Sequence, residues 1–81
     1  MPFAYLLRCR DGTLYAGAAV DLERRVRAHQ AGRASRYTRA RRPVELVWAH
    51  EVATWSEALR EEARIKRLRR AAKETLAAGG R

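Results

Sequence analysis

The segment Phe3–Ala18, with the sequence FAYLLRCRDGTLYAGA, decides the fold because it contains two apolar stretches around a turn signal. Phe3–Cys9 is short, apolar and aromatic, and Leu14–Ala18 is similarly apolar, which is typical of β-strands. The sequence Arg-Asp-Gly at residues 10–12 is a turn signal. The segment is therefore predicted to form a β-hairpin.

The length of the hairpin loop decides whether Tyr5 and Tyr15 share a face of the sheet. A two-residue turn at Asp11-Gly12 would place the two tyrosines on opposite faces, because side chains alternate along a strand. A three-residue loop with Gly12 in the left-handed region places both on one face, with Tyr5 opposite Gly17. The X-Asp-Gly sequence favours the three-residue loop.

The rest of the chain predicts one more strand and three helices. The elements are a helix capped by Asp21 and running to about Gln30, a basic loop over residues 33–43, a strand over 44–52, a helix from the Thr54 capping box to about Leu68, and a helix over 70–78. The order β-β-α-β-α-α predicts the α+β class, a three-stranded antiparallel sheet flanked by helices. Residues 1–78 are expected to form one domain, and residues 79–81 a short flexible tail.

The size and the cysteine content exclude several classes of protein. A chain of 81 residues and 9.3 kDa has room for one small core, which excludes two-domain enzymes and doubly wound nucleotide-binding sheets. Cys9 is the only cysteine, so neither an internal disulfide nor a cysteine zinc cluster can form, and a reducing compartment is expected. We expect a cytoplasmic protein with no membrane association, because no stretch resembles a signal peptide or approaches about 20 apolar residues.

The charge of the chain indicates a polyanionic partner. The sequence has 18 Lys and Arg against 9 Asp and Glu, a formal net charge of +9, and 16 of the basic residues are arginine. A GC-rich genome or a need for phosphate binding could each explain the excess of arginine over lysine. The net charge itself points to nucleic acid.

Residues 24–43 contain eight arginines and no acidic residue. Such a segment is either a solvated loop or a surface that binds the nucleic-acid backbone, because crowded like charges need counterions. The predicted backbone-binding residues are Arg33, Arg36, Tyr37, Thr38, Arg39, Arg41 and Arg42.

Glu62 lies on an unexpected face of the helix predicted to start at the Thr54 capping box. At about 100° per residue it falls in the middle of the apolar stripe, whereas Glu61 lies at the margin. The stripe consists of Trp55, Ala58, Leu59 and Ile65. A carboxylate that faces the sheet is costly unless it is paired or binds a metal. Glu62 is therefore either in a buried salt bridge with an arginine from another element or part of a functional site.

Four other side chains have two interpretations each. Arg25 and His29 flank the apolar stripe of the first helix one turn apart, whereas Arg24 faces solvent. Arg25 could extend its charged end to water and His29 could be a locally satisfied boundary residue, or both could belong to a site. Tyr5 and Tyr15 fit ordinary sheet packing, but a shared face would also place them in one site.

Taken in order, these positions resemble the GIY-YIG nuclease superfamily, and in particular its small stand-alone bacterial branch. The motifs are Phe3-Ala4-Tyr5, Tyr15-Ala16-Gly17, Asp21-Leu22-Glu23-Arg24-Arg25 with His29, and Ser56–Glu62 followed by Ile65-Lys66. The stretch 37–44 also resembles that branch and nucleases that cut branched DNA. Each motif is short, but their order and spacing over roughly residues 3–70 make the set specific. The first motif lacks the family's Gly and Ile, and Ala18 replaces a polar or basic residue found in some members.

The resemblance implies a role for each matching residue. Tyr5, Tyr15, Arg25, His29 and Glu62 would be the catalytic residues, with Glu62 as the ligand of a Mg²⁺ or Mn²⁺ ion. Arg25 would hold the scissile phosphate, and Tyr15 would act as the general base or orient the attacking water. Tyr5 and His29 would position the water or the phosphate.

The function implied by the resemblance is metal-dependent endonucleolytic cleavage of DNA. No base-reading element is visible in the sequence, so the cleavage is expected to be directed by nucleic-acid structure rather than by sequence. A non-catalytic nucleic-acid-binding module on the same fold is the alternative, and a basic protein that binds RNA or a ribosomal surface is a third. An activating protein partner would fit a free-standing catalytic module, and the oligomeric state stays open.

Overall fold

The computed structural model describes residues 1–79, and this range contains three strands and four helices. In chain order these are β1 (Phe3–Arg8), β2 (Leu14–Ala19), α1 (Leu22–Gln30), α2 (Arg36–Arg39), β3 (Glu45–Glu51), α3 (Trp55–Lys66) and α4 (Arg70–Ala77). The predicted α+β class and the order β-β-α-β-α-α are confirmed, with the four-residue α2 as an addition. Gly79 follows α4 with a φ of 90°, and the rest of the predicted flexible tail, residues 80–81, lies outside the described residues. None of the helices in residues 1–79 is long and apolar enough to cross a membrane.

β1 is the central strand of the sheet, because the strand order is β2-β1-β3 and both pairings are antiparallel. The hairpin loop has three residues, and Gly12 adopts a φ of 86° in it, as the X-Asp-Gly sequence predicts. In the resulting register Tyr5 lies opposite Gly17, and Tyr15 occupies the same face two positions earlier in β2. The prediction that both tyrosines share one face is therefore confirmed.

Apolar side chains fill both faces of the sheet, which buries the central strand on both sides. The face covered by α1 holds the cluster of Tyr5, Leu7, Cys9, Ala19 and Val44. The face covered by α3 and α4 holds Ala4, Leu6, Ala16 and Ile65. Side chains of α1 pack with β2 on one face, and α3 contacts β2 on the other. The edge strand β2 is therefore the element at which residues of both helices can meet.

Side-chain caps determine where α1 and α3 begin. The carboxylate of Asp21 accepts a 3.1 Å hydrogen bond from the backbone N–H of Arg24. The hydroxyl of Thr54 likewise accepts a 3.1 Å hydrogen bond from the backbone N–H of Glu57. Both caps match the sequence prediction, because each residue satisfies an N–H that has no partner within its helix. α3 ends at Lys66, slightly earlier than predicted.

The prediction of a loop throughout the segment between α1 and β3 is corrected by α2. The Ser35 hydroxyl caps this helix by accepting a 3.1 Å hydrogen bond from the backbone N–H of Thr38. Four residues are too few to show helical periodicity, so no pattern in the sequence indicates this helix. Two hydrogen bonds of Arg41 connect this segment to the hairpin loop. Its Nε donates to Oδ2 of Asp11 at 3.0 Å, and its carbonyl oxygen accepts from the backbone N–H of Arg10 at 2.9 Å.

Candidate active site

A buried chain of hydrogen bonds connects β1, α1 and α2 through Tyr5, His29 and Thr38. The Tyr5 hydroxyl lies 2.8 Å from Nε2 of His29, and Nδ1 of the same ring lies 2.8 Å from Oγ1 of Thr38. The Thr38 hydroxyl can donate onward to the Ser35 carbonyl at 3.5 Å, so we assign the tautomer in which Nδ1–H donates to Thr38 and Nε2 accepts from Tyr5. All three side chains are at most 1 % exposed, which indicates that they position neighbouring groups.

Burial keeps the two titratable members of this chain neutral. It raises the pKa of Tyr5 far above the ordinary value, with Tyr15 raising it further, Arg25 opposing the rise and Glu62 adding to it. Burial also lowers the pKa of His29 to about 4, and the positive charge of Arg25 contributes to the decrease. The structure thus brings Tyr15, Arg25 and Glu62 within electrostatic range of the Tyr5 hydroxyl.

The missing side chain at Gly17 makes room for the ring of Tyr5. A Cβ atom at this position would lie 2.4 Å from the Tyr5 hydroxyl oxygen and 2.5 Å from Cζ. These distances are far below van der Waals contact, so any larger residue would displace the ring. A glycine inside a strand often marks such a close approach. Gly17 within β2 was therefore the sequence signal for a tightly packed neighbour on this strand.

Tyr15 is the more accessible of the two site tyrosines. Its ring meets the edge of His29, with centroids 5.2 Å apart, and stacks on Tyr37 at 5.9 Å and an interplanar angle of 26°. The guanidinium of Arg41 lies 3.8 Å from the centroid of the Tyr37 ring. The stack fixes the ring of Tyr15, while its hydroxyl makes no hydrogen bond to any residue within 1–79. The hydroxyl is therefore available to a ligand.

Arg25 presents a free guanidinium beside the tyrosines. Its side chain is exposed, and among the described residues it forms no ion pair or side-chain hydrogen bond. It lines a cleft between α1, the end of β2 and the start of α3. Arg24, which the helical wheel directs to solvent, lines the same cleft. An arginine in this situation is suited to bind a phosphate through its planar fork of donors.

Glu62 is half-buried, with 21 % of its side chain exposed, and its Oε2 lies 3.2 Å from Nζ of Lys66. The apolar stripe beside it is confirmed in part, because Ala58 and Ile65 are fully buried. This ion pair lies within α3, and among residues 1–79 Glu62 does not form the salt bridge to an arginine of another element that was one interpretation. Sequence reasoning missed Lys66 as the partner, although the i,i+4 spacing carried the signal.

Glu61, the neighbouring carboxylate, is already engaged elsewhere. Its Oε2 lies 2.8 Å from Nδ1 of His50 on β3, and its Oε1 accepts a 2.5 Å hydrogen bond from Nε of Arg64. The hydrogen bond from Arg64 lowers the pKa of Glu61, burial opposes this change, and His50 lowers the pKa further. Glu62 has only Lys66 as a partner among the described residues, so it is the carboxylate with an oxygen available for a ligand.

The donor set around Glu62 fits a divalent cation that prefers oxygen ligands. No group of three or more His, Cys, Asp or Glu side chains within residues 1–79 is arranged to hold a metal ion. A cation bound by Glu62 would therefore need water and phosphate oxygens as its other ligands, which is how Mg²⁺ is commonly held. Mn²⁺ accepts the same ligands.

The five arginines of residues 33–43, here called the basic segment, divide into two groups. Arg33, Arg36 and Arg39 are exposed, and their side chains form no ion pair or hydrogen bond within the described range. Arg41 is held by the hairpin loop, and Nε of Arg42 donates to the Arg39 carbonyl at 3.1 Å. The first group is free to contact a polyanion, whereas the second maintains the shape of the segment.

Two other residues predicted to bind the nucleic-acid backbone also have internal partners. Thr38 is fully buried, so its side chain supports His29 and does not face a ligand. Tyr37 is 37 % exposed, but its ring packs on Tyr15 and on the guanidinium of Arg41. We therefore assign Thr38 a positioning role.

Sequence comparisons agree with the motif pattern. The GIY-YIG catalytic domain matches residues 1–75. A UPF0213 protein of Streptococcus pneumoniae is 44 % identical over 72 residues, which cover 89 % of this chain and 73 % of that relative. A UPF0213 protein of Halobacterium salinarum is 47 % identical over 76 residues, which cover 94 % of this chain and 99 % of the relative.

A solved structure has a similar fold. The solution NMR structure of a UPF0213 protein from Bacillus halodurans shares 38 % sequence identity with this chain, and the two superimpose with a TM-score of 0.60. The match covers 96 % of this chain and 84 % of that protein. None of these names specifies a substrate or a metal ion.

Proposed function

The chain belongs to the GIY-YIG catalytic domain family, whose members are generally nucleases, and we propose that it is a divalent-metal-dependent endonuclease that hydrolyses DNA phosphodiester bonds. One observation carries the proposal. Arg25 on α1, Tyr15 on β2 and Glu62 on α3 all act on the pKa of the buried Tyr5 hydroxyl, which indicates that the three side chains lie on the same side of the molecule near it. A group that binds the phosphate, a group that acts on the attacking water and a group that holds a metal ion are the components that metal-dependent hydrolysis of a phosphodiester uses.

Arg25 would bind the scissile phosphate. Because its guanidinium has no partner among the described residues, it can direct two parallel N–H groups at two phosphate oxygens. Negative charge increases on these oxygens as the nucleophile approaches phosphorus, and the fixed positive charge stabilises it.

Tyr15 would act on the attacking water molecule. Its hydroxyl oxygen would accept a hydrogen bond from the water and orient it, and the water would give its proton to solvent as the new P–O bond forms and the bond to the leaving oxygen breaks. The leaving oxygen then takes a proton from solvent. The stack with Tyr37 holds the ring in place, so the hydroxyl does not have to be ordered when the substrate binds.

Glu62 would hold the cation through a carboxylate oxygen, and its ion pair with Lys66 would open or rearrange to allow this. When bound, a Mg²⁺ or Mn²⁺ ion supplies positive charge that stabilises the phosphate and the leaving oxygen. Tyr5 and His29 would not contact the substrate, because both are buried. Their hydrogen bond would instead fix the floor of the site beneath Tyr15 and Arg25.

The exposed arginines of the basic segment would bind the flanking nucleic-acid backbone. Arg33, Arg36 and Arg39 supply charge without a fixed internal partner, which gives affinity for phosphate but no base recognition. This is the basis for proposing that nucleic-acid structure directs the cleavage rather than sequence.

The proposal is tested by incubating the protein with labelled single-stranded, duplex, flap and four-way-junction DNA. Each substrate is combined with Mg²⁺, Mn²⁺ or EDTA, and the Glu62→Ala variant is assayed in parallel. Cleavage that requires the metal and is lost in the variant supports the proposal. Binding without cleavage on every substrate would instead favour a non-catalytic nucleic-acid-binding module on the same fold.

A further inference from the structure

Trp55, the first residue of α3, lies in a cleft beside the candidate site. The cleft is formed where the end of β2, α1 and the start of α3 meet. Its lining residues are Ala19, Val20, Asp21, Arg24, Arg25, Ala28 and Trp55. The function proposed above uses only Arg25 of this set.

Trp55 is exposed, although the helical wheel places it in the apolar stripe that faces the sheet. Trp55 is 44 % exposed, and its indole N–H makes no hydrogen bond within residues 1–79. Val20 in the same cleft is 67 % exposed, and Leu59, one turn after Trp55, is 43 % exposed. The expectation of burial is therefore wrong for Trp55 and Leu59, and the cleft has two exposed apolar side chains, Val20 and Trp55, in its lining.

The charges around these apolar side chains select a polyanion with aromatic groups. Arg24 and Arg25 form the α1 wall of the cleft, and neither guanidinium has an ion-pair partner among the described residues. Asp21 is the one acidic lining residue, and one of its carboxylate oxygens accepts the N-cap hydrogen bond of α1. A flat indole that shares a cleft with two free guanidinium groups matches a nucleotide, whose base is flat and apolar and whose phosphates are anionic.

The cleft is continuous with the candidate site. Arg25 belongs to both, and Trp55, Leu59 and Glu62 follow one another at i, i+4 and i+7 along the same side of α3. A nucleotide on Trp55 would therefore be a close neighbour of the phosphate held by Arg25.

We propose that Trp55 is a stacking platform for an unpaired nucleobase next to the scissile phosphate, and that Arg24 contacts the adjoining backbone. The inference rests on the proposed nuclease function and adds a base-binding subsite to it. Because every base has an aromatic face, such a subsite selects for unpaired nucleotides without reading their sequence.

The test compares the binding of two strands that carry equal charge. One is an oligothymidylate, and the other has the same length but only abasic sugar-phosphate units. Binding is measured by fluorescence anisotropy in EDTA, so that no cleavage occurs. The wild-type protein is expected to bind the oligothymidylate about tenfold more tightly than the abasic strand, because stacking adds to an equal backbone contribution.

Variants assign this difference to Trp55. We expect Trp55→Ala to abolish the preference for bases and Trp55→Phe to retain most of it, because phenylalanine also offers an aromatic face. Leu46→Ala is the matched control, since Leu46 is another exposed apolar residue, at 39 %, and lies on β3. It should bind both strands like the wild type.

Two results would overturn the inference. The first is equal binding of both strands by the wild type, and the second is an undiminished preference for bases in Trp55→Ala. If Trp55→Ala changes the oligomeric state and leaves the preference for bases intact, the cleft is instead an interface with a second copy of the chain. If the protein fails to cleave DNA but shows the Trp55-dependent preference, the proposed nuclease function fails while the base subsite stands.

Discussion

The hydroxyl of Tyr5 and Nε2 of His29 lie 2.8 Å apart although the two residues are 24 positions apart in the sequence. The contact joins the central strand to the end of α1 and crosses the space above Gly17. Because both groups are buried and neutral, this hydrogen bond stabilises the packing of α1 on the sheet and does not serve as an exposed acid-base pair. Several measurable properties should depend on it.

Removing the Tyr5 hydroxyl should destabilise the fold. Tyr5→Phe leaves Nε2 of His29 as a buried acceptor without a donor, which should lower the free energy of unfolding by about 1–3 kcal/mol. Urea unfolding followed by circular dichroism measures the change. Tyr37→Phe is the matched control, because the Tyr37 hydroxyl has no hydrogen bond within residues 1–79. A loss of equal size in both variants would contradict the role given to the Tyr5–His29 contact.

The stability of the protein should fall between pH 6.5 and pH 4. The pKa of His29 is lowered from 6.5 to about 4 by burial and by Arg25, so the unfolded chain binds more protons than the folded chain in this window. The contribution of His29 to the free energy of unfolding is complete above pH 6.5, and it is lost as the pH falls towards 4. It amounts to about 3 kcal/mol.

Urea unfolding at several pH values tests this dependence. The variant His29→Gln should lose most of it, whereas His50→Gln should retain it, because His50 is half-exposed and lies on β3. Identical pH profiles for His29→Gln and the wild type would show that another group is responsible.

Gly17→Ala should damage both stability and activity. The added methyl group would lie 2.4 Å from the Tyr5 hydroxyl, and Tyr5 cannot yield easily because it is buried and hydrogen-bonded. The expected loss of stability is about 1–3 kcal/mol, as for other overpacked interiors. Combining the change with Tyr5→Leu removes the clashing ring, so the double variant should be less destabilised than the sum of the single variants. Strict additivity would contradict the predicted clash.

Two neighbouring arginines of the basic segment should behave differently. Arg39→Ala should weaken nucleic-acid binding and reduce the salt dependence by about one phosphate contact, with little change in melting temperature. Arg41→Ala should lower stability by about 1 kcal/mol, because Arg41 bonds Asp11 and stacks on Tyr37. Binding titrations at several salt concentrations and thermal melts separate the two effects. A reversal of the two phenotypes would contradict the division of the segment.

Much of this architecture is predictable from local sequence. The Arg-Asp-Gly loop sets the register of the hairpin, and the register alone places Tyr5 and Tyr15 on one face. Asp21 and Thr54 mark the starts of two helices, because capping depends on residues only three positions apart. The hairpin register and the helix starts can be predicted because each is determined by residues only a few positions away in the sequence.

The features that local sequence does not predict depend on long-range contacts. The partner of His29 on β1 is fixed by how α1 lies on the sheet, and α2 is too short to show a period. Trp55 has the helical spacing of a core residue, but the residue is 44 % exposed because no described element covers its indole. The helical wheel distinguishes the inward from the outward side of a helix, and it does not show where the neighbouring sheet ends.

The central claim is that Glu62 holds the metal ion for cleavage, and a comparison with Glu61 tests it most directly. The two carboxylates are adjacent on α3, but Glu61 is engaged by His50 and Arg64, whereas Glu62 is paired only with Lys66 among the described residues. The measurement is the Mg²⁺-dependent rate of DNA cleavage by Glu62→Gln and Glu61→Gln, with the affinity for DNA determined in EDTA. We expect Glu62→Gln to reduce the rate by about 100-fold or more at unchanged affinity. Glu61→Gln should cleave at nearly the wild-type rate. Wild-type cleavage by Glu62→Gln, or an equal loss in both variants, would contradict the account.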